Sequence, residues 1–387
     1  MLGAVDTDSL DVAWMLKGGA ARTVHAMSKA DAKQPDAHNT EQHAAHAKAP
    51  SKPDPNAASF EERVAFRKEW EATVKDMQAK ICSALEKVDG HGKFVEDVWQ
   101  RPEGGGGWTR VLTEGNVFEK AGVNVSTVHG ELPAGAQAQM RSRGVLPVAP
   151  ANAATKMPFF ACGVSLVIHP KNPMAPTVHA NYRYFEVVDP DTHKTVWWFG
   201  GGSDLTPAYL FEEDAEEFHK AYKKACDAHD SSFYPRFKKW CDEYFFLGHR
   251  GESRGVGGIF YDDLDTIRDL GHDSSETQRK EALRQFAVSC ANALVETYVP
   301  IMERRKNMPF TEEQKRWQQL RRGRYVEFNL AIDRGTRFGL QTPGSRTESI
   351  LMSLPLTARW EYNVSPTPGS REDQLLQVLK KPRDWVH

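Results

Sequence analysis

Apolar residues recur at helical spacing from Phe60 through Val64, Trp70, Val74, Met77, Ile81 and Leu85 to Val88, and Ser59 with Glu62 forms a capping box ahead of them. The spacing predicts one long amphipathic helix that opens the folded region at Ser59. The pattern then changes to short runs rich in Val, Phe, Tyr, Trp and Thr: FVEDVWQ, GWTRVLT, VNVSTVHGEL, FFACGVSLVIH, HANYRYFEVV and TVWWFGG. So many strands with few helices between them imply a meander rather than a βαβ ladder. Helical patterning resumes in EEDAEEFHKAYKKACDAH, in Tyr234 to Leu247, from Ser275 to Arg305, and in a shorter helix opened by Thr311 with Gln314. RYVEFNLAID and TRFGLQT read as returning strands, and SRTESILMSL and SREDQLLQVLK as short closing helices. The predicted class is α+β, a large antiparallel sheet with helices on both faces (three layers, α/β/α), in a single domain over 59–387.

Residues 1–58 differ in kind. Ala, Lys, Asp, His and Pro dominate from Ala26 to Ala58, which predicts a disordered low-complexity leader. Asp6, Asp8 and Asp11 stand where transit peptides avoid acids, and Arg22 is the only arginine, so the expected location is the cytoplasm. With 40% hydrophobic residues the chain can bury a full core, and a net charge of −2 gives no global attraction to nucleic acid. No apolar run approaches the roughly 18 residues of a membrane helix. The five cysteines, Cys82, Cys162, Cys226, Cys241 and Cys290, have neither zinc-site nor redox-pair spacing, which suggests buried thiols in a reducing compartment.

Candidate chemistry concentrates in two places. WWFGGGSDLTPAYLFEEDA puts three glycines and Asp204 between an aromatic strand and an acidic helix start, which reads as a bare loop carrying a carboxylate. In the strand before it, His179, Asn181 and Arg183 share one face while Tyr182 and Tyr184 share the other. A hairpin would bring that polar stripe to Asp204. Arginine is dense late in the chain, and Arg346 sits in GSR at a predicted helix N-terminus, where main chain and guanidinium together favour a carboxylate. Dinucleotide, metalloprotease, nucleophile-elbow and kinase signatures are absent. His169, His179, His219 and His249 could gather around a metal. The residues alone therefore predict a large pocket for a multiply carboxylated molecule, with the reaction unnamed.

FVEDVWQR, GVNVSTVHGELP, GVSLVIHP, HANYRYFE, WWFGGGSDLTP, YPRFKKWCDEYFFLGHRGESRGVGGIFYDDL, RRGRYVEFNLAIDRGTRFGLQTPGSRTESILMSLP and RDWV match the motifs of one family. From Phe60 to Val386 the chain resembles the oxygen-dependent coproporphyrinogen III oxidases. The resemblance implies a homodimer and, in haem biosynthesis, oxidative decarboxylation of two propionates of coproporphyrinogen III to vinyl groups, giving protoporphyrinogen IX. O2 is the co-substrate and no organic cofactor is needed. Only the resemblance makes the mitochondrial intermembrane space the alternative location. It further implies that Asp204 accepts hydrogen bonds from the pyrrole N–H groups, that His179 is the proton donor, and that Ser165, Asn181, Tyr182, Arg183 and the segment Gly344, Ser345, Arg346 contact substrate. Histidines matching His169, His179, His219 and His249 are described as metal ligands in some bacterial members; catalysis without metal is the expectation here. Dimer contacts are expected within Tyr325 to Trp360, through Phe328, Leu330, Ile350 and Leu354. The rival classes are a metal-dependent hydrolase or oxygenase and a non-catalytic tetrapyrrole carrier.

Overall fold

The computed structural model describes residues 57–132, 134–142, 146, 156–189, 194–270, 274–341 and 344–386. The leader therefore lies outside the described residues, except Ala57 and Ala58. Contacts divide the chain into two units, Asn56–Leu132 with Thr155–His387 and Met1–Pro55 with Pro133–Ala154. The first unit holds every element described below except α2.

Helix α1 (Phe60–Asp89) has the expected capping box, and its C-cap Gly90 adopts φ 78°, a left-handed conformation that glycine takes without strain. Trp70, Val74, Met77, Ile81, Leu85 and Val88 form its buried stripe, whereas Phe60 is exposed. Strands β1 (Val95–Gln100), β2 (Gly105–Thr113) and β3 (Phe118–Glu131) follow, then α2 (Ala134–Ser142), a helix the sequence pattern did not announce. Next come β4 (Pro158–Pro170), β5 (Thr177–Val188), β6 (Thr195–Thr206), helices α3 (Glu212–Asp227) and α4 (Phe233–Tyr244), the two-residue strands β7 (Phe246–Leu247) and β8 (Glu252–Ser253), and β9 (Gly257–Leu264). The main sheet runs β1-β2-β3-β4-β5-β6-β9, antiparallel throughout. Every strand pairs with its sequence neighbour except at the β6–β9 step, so the predicted meander holds.

Helix α5 (Glu276–Arg305) and helix α6 (Glu312–Glu327) both open on capping boxes, Ser275 with Gln278 and Thr311 with Gln314. RYVEFNLAID and TRFGLQT, which by composition read as strands, are helical instead. Helix α6 continues through Tyr325, a π-helical turn covers Phe328–Ile332, and α7 spans Arg334–Gln341. The aromatic and β-branched residues that suggested strands are also at helical spacing, with Trp317, Leu320, Tyr325 and Phe328 all buried. Tertiary packing of that stripe overrides strand propensity. Short α8 (Thr347–Leu351) and α9 (Arg371–Lys380) complete the chain.

Helices α1, α3 and α5 cover one face of the sheet. Val164, Leu166, Val178, Ala180, Tyr182 and Tyr184 point into that side and belong to one continuous core. On the opposite face the segment Ser349–Ser353 lies over part of β2 to β4. Met352 lies over Gly122, Ser349 Oγ is 2.7 Å from Thr109 Oγ1, and His169 Nε2 is 2.9 Å from the Ser353 carbonyl. Beyond those contacts a strip of strands β3 to β5 is half-buried.

Candidate active site

Register decides which side chains meet on that strip. Asn124, Ser165, Asn181 and Gly202 form one cross-strand row. Ser126, Gly163, Arg183 and Gly200 form the next, and Gly122, Val167, His179 and Asp204 the third. The floor is made of small and polar residues, and Asn124, Ser126, Gly163, Ser165, His179, Asn181 and Arg183 are all half-buried. A flat ligand can lie on such a surface without meeting a bulky side chain.

The glycines are not a loop. GGGSDLT lies within β6, and His179 is paired directly with Asp204 across the ladder. Glycine is required there for close approach: a Cβ at Gly200 would fall 2.6 Å from both Arg183 Nη2 and Asp262 Oδ1. The Arg183 guanidinium thus lies against Gly200 of β6, donating to Asn181 Oδ1 (2.7 Å) and Asp262 Oδ1 (3.0 Å). Both contacts pre-orient a planar cation that remains partly open to solvent.

Asp204 is almost fully buried, and protein donors occupy both of its oxygens. His179 Nδ1 lies 2.8 Å from Oδ1, while Arg254 Nη2 lies 2.9 Å from Oδ1 and 2.8 Å from Oδ2. Burial alone would raise the carboxyl pKa, but the charge of Arg254 and the hydrogen bond from His179 outweigh it and hold Asp204 below the usual carboxylate range. A carboxylate only accepts, so Nδ1 of His179 carries the proton. Its other nitrogen, Nε2, points toward Asn181 Nδ2 at 3.5 Å. The arrangement is a carboxylate–imidazole dyad in which the imidazole, 17% exposed, reaches the open floor and the carboxylate, 1% exposed, backs it. Asp204 therefore does not itself present a free oxygen to a ligand on the floor.

Arg254 went unrecognised as a site residue, since in HRGESRG it reads as one of many late arginines. Its guanidinium is boxed by the rings of Phe245 (4.2 Å), Tyr325 (4.5 Å) and Phe328 (4.8 Å), and Nη1 donates to Asn329 Oδ1 at 3.0 Å. The helical run that carries Tyr325 and Phe328 is the one read as a strand, so the signal was available only with the right period. Phe328 is wholly buried in this box and is not a surface contact, which corrects its place among the expected dimer residues.

The remaining candidates scatter. Tyr182 is turned to the opposite face, where its hydroxyl meets Ser203 Oγ at 2.7 Å, so its ring cannot reach a ligand on the floor. Gly344, Ser345 and Arg346 stand at the far edge: Gly344 abuts Glu103 in the β1–β2 turn, and Arg346, the N-cap of α8, engages Asp97 of β1 (Nε to Oδ2, 2.9 Å). Strand β1 is four steps from β5, about 19 Å at the usual strand spacing. Arg183 and Arg346 thus bracket the floor from opposite sides.

The four histidines do not converge. His169 uses its ring nitrogens on Thr177 Oγ1 (3.2 Å) and the Ser353 carbonyl, and His219 on Tyr234 Oη (2.9 Å) and the Val256 carbonyl (3.1 Å). His249 pairs with Glu327 at the surface. Among the described residues no group of three or more His, Cys, Asp or Glu side chains could hold a metal ion, so a four-histidine metal site does not fit. All five cysteines are free and buried, as expected, and burial pushes the Cys82 and Cys162 thiols up to about 12.

Comparison with known proteins places this geometry. Residues 69–385 match the family model described as coproporphyrinogen III oxidase. The chain is 57% identical over 322 residues, 83% of its own length and 67% of the relative's, to the human protein named oxygen-dependent coproporphyrinogen-III oxidase, mitochondrial. It is 54% identical to the Drosophila melanogaster oxygen-dependent coproporphyrinogen-III oxidase, covering 83% of this chain and 78% of that one. The soybean (Glycine max) chloroplastic enzyme is likewise 54% identical, over 83% and 80% of the two chains. The chain belongs to the oxygen-dependent coproporphyrinogen III oxidase family.

Proposed function

We propose that this protein oxidatively decarboxylates two propionates of coproporphyrinogen III to vinyl groups, giving protoporphyrinogen IX. Each propionate side chain, –CH2CH2COOH, with one O2 becomes –CH=CH2, CO2 and H2O2, so atoms and electrons balance with no organic cofactor. The observation that carries the reading is the family match over 69–385. The comparisons support neither a hydrolase nor a carrier.

The geometry suggests how the work is divided. The macrocycle lies on the small-residue floor, with Arg183 and Arg346 available to its carboxylates from opposite edges and Ser165 and Asn181 beneath it. Tyr182 contributes only main chain to that face. Nε2 of His179 is the proton-transfer atom, and Asp204 stabilises the imidazolium that forms when a pyrrole N–H is deprotonated. The electron-rich pyrrole anion then reacts with O2 directly. Aerobic and anaerobic incubation of the purified protein with coproporphyrinogen III, with products separated by chromatography, tests this: turnover is expected in air only, and equal turnover without O2 would refute it.

Two further parts of the reading concern the whole molecule. The protein works as a homodimer, and the exposed Leu330, Leu356, Trp360 and Tyr362 give the region around Tyr325 to Trp360 an apolar surface to bury. Sedimentation checks this. The acidic start of the leader favours the cytoplasm, whereas the human and soybean relatives bear organellar names. No described helix is long and apolar enough to cross a membrane. A fluorescent fusion to residues 1–58 distinguishes the locations.

A further inference from the structure

The C-terminal run Arg383–Val386 lies behind the dyad and is tied to it by a short chain of hydrogen bonds. Trp385 is 7% exposed, and its Nε1 donates to the Val256 carbonyl at 3.2 Å. His219 Nε2 meets the same carbonyl at 3.1 Å, and the indole packs against the imidazole with ring centroids 6.2 Å apart and planes at 28°. A carbonyl only accepts, so Nε2 of His219 bears the proton and Nδ1 accepts from Tyr234. Burial lowers this imidazole to about 3, which keeps it neutral and in that single tautomer. Two donors from separate parts of the chain thus converge on one backbone oxygen.

Val256 connects directly to the site. Its N–H donates to the carbonyl of Leu205, the neighbour of Asp204, at 2.9 Å. Two residues earlier, the Arg254 N–H donates to the Phe245 carbonyl at 2.9 Å. Gly255 lies between, so close to β6 that a Cβ there would fall 2.3 Å from the Leu205 oxygen. The segment that presents Arg254 is therefore fixed by Phe245 at one end and by the doubly held Val256 at the other. The tail has its own anchors: Lys238 Nζ donates to the Arg383 carbonyl (2.9 Å) and lies 3.3 Å from Asp384, while Leu375 and Leu379 of α9 are fully buried.

We propose that Trp385 is a positioning residue, which with His219 clamps the Val256 carbonyl and so sets the Arg254 guanidinium against Asp204. The inference rests on the reading of His179 and Asp204 as the reacting dyad. Hydrogen bonds weaken steeply with distance and angle, so a small shift of this segment loosens the contacts that orient the carboxylate. A purely space-filling ring would have no use for the indole N–H.

Trp385→Phe keeps the ring and removes the donor. In the full-length protein with coproporphyrinogen III in air, W385F is expected to lower kcat about tenfold with KM within about twofold of wild type. In an Arg254→Lys background, followed by single turnover, the same change should cost less than about twofold, because the residue through which it acts is already displaced. Lys238→Met, which releases the tail while leaving the indole intact, should lower kcat in the same direction and carries the test if W385F does not fold. Equal losses in the two backgrounds, an unchanged kcat in a folded variant, or an effect on KM alone would overturn the clamp. A wild-type chain without turnover would instead overturn the functional reading on which it stands.

Discussion

Strand β5 carries a buried charge cluster on each of its faces, and only one of them opens onto the proposed site. On the floor side, Asp204, Arg254 and His179 form a closed set of contacts. On the core side, Glu186 accepts from Arg67 and Tyr184, and Lys280 lies 3.9 Å from it and 2.6 Å from Glu276. Burial holds the Lys280 ammonium below its usual range, and the cation sits among the rings of Phe66, Tyr184 and Trp197. By burial and pKa shift alone the second cluster looks as functional as the first. They differ in what faces solvent. The core cluster reaches water only through Arg67 and Arg63, which do not give up protons, whereas the floor cluster ends in an imidazole nitrogen. A buried ion pair marks a site only when it controls a titratable atom that a ligand can touch.

Replacing one acid in each cluster separates them most sharply. Asp204→Asn should reduce turnover by about 100- to 10,000-fold, the usual range for a general acid–base contribution, with circular dichroism showing that the fold persists. Wild-type turnover in folded D204N would break the comparison. Glu186→Gln should do the reverse: kcat within about threefold, and stability lower by about 3 kcal/mol as Arg67 and Lys280 lose a buried partner, measured by urea unfolding.

Acid acts on the two fully buried histidines, His169 and His219. His169 and His219 are held below their normal range by burial, His219 to about 3. Their folded pKa lies under the unfolded value of about 6.5, so the unfolded chain takes up protons first. The stability of keeping them neutral is fully present above that value and is lost as pH falls. Between pH 7 and pH 5 this should cost about 2 kcal/mol for His219, with His169 acting in the same direction. His219→Gln should flatten the slope by that amount in urea titrations at several pH values; an unchanged slope would place the loss elsewhere.

What the sequence revealed, and what it hid, follows the same division between local and non-local information. Capping boxes at Ser59, Ser275 and Thr311 and the alternation along HANYRYFE depend on neighbours in the chain, and all were legible. The alternation already put Tyr182 on the far face from His179, while family resemblance alone placed it among the ligand contacts. The glycines of β6 were misread because glycine alone signals a turn; their purpose, room for Arg183, depends on a residue one strand away. Arg254 was hidden for a similar reason. Its partners Asp204, Phe245 and the pair Tyr325 and Asn329 come from three separate segments, and two of its aromatic walls lie on the helical run read as strand.

The smallest expected effect concerns where the folded unit begins. Removing residues 1–55 should leave kcat unchanged and stability within about 0.5 kcal/mol, since every element that builds the floor or the core cluster begins later. Cutting three residues further should not be silent. Ala58 is buried, its N–H donates to Glu276 Oε2 at 3.1 Å, and its carbonyl accepts from Arg63 Nη1 at 2.9 Å. Both partners belong to the core-side cluster, so a chain starting at Ser59 loses two hydrogen bonds to charged groups and leaves Glu276 less satisfied beside Lys280. Bonds of that kind contribute about 1.5–3 kcal/mol, although the new terminal amine of Ser59 can recover part of the loss. Urea unfolding of the two truncations should therefore show a step between them, with turnover the same in both. Equal stabilities would place the boundary at Ser59, and a loss of turnover with the fold intact would tie the leader to the floor rather than to the core.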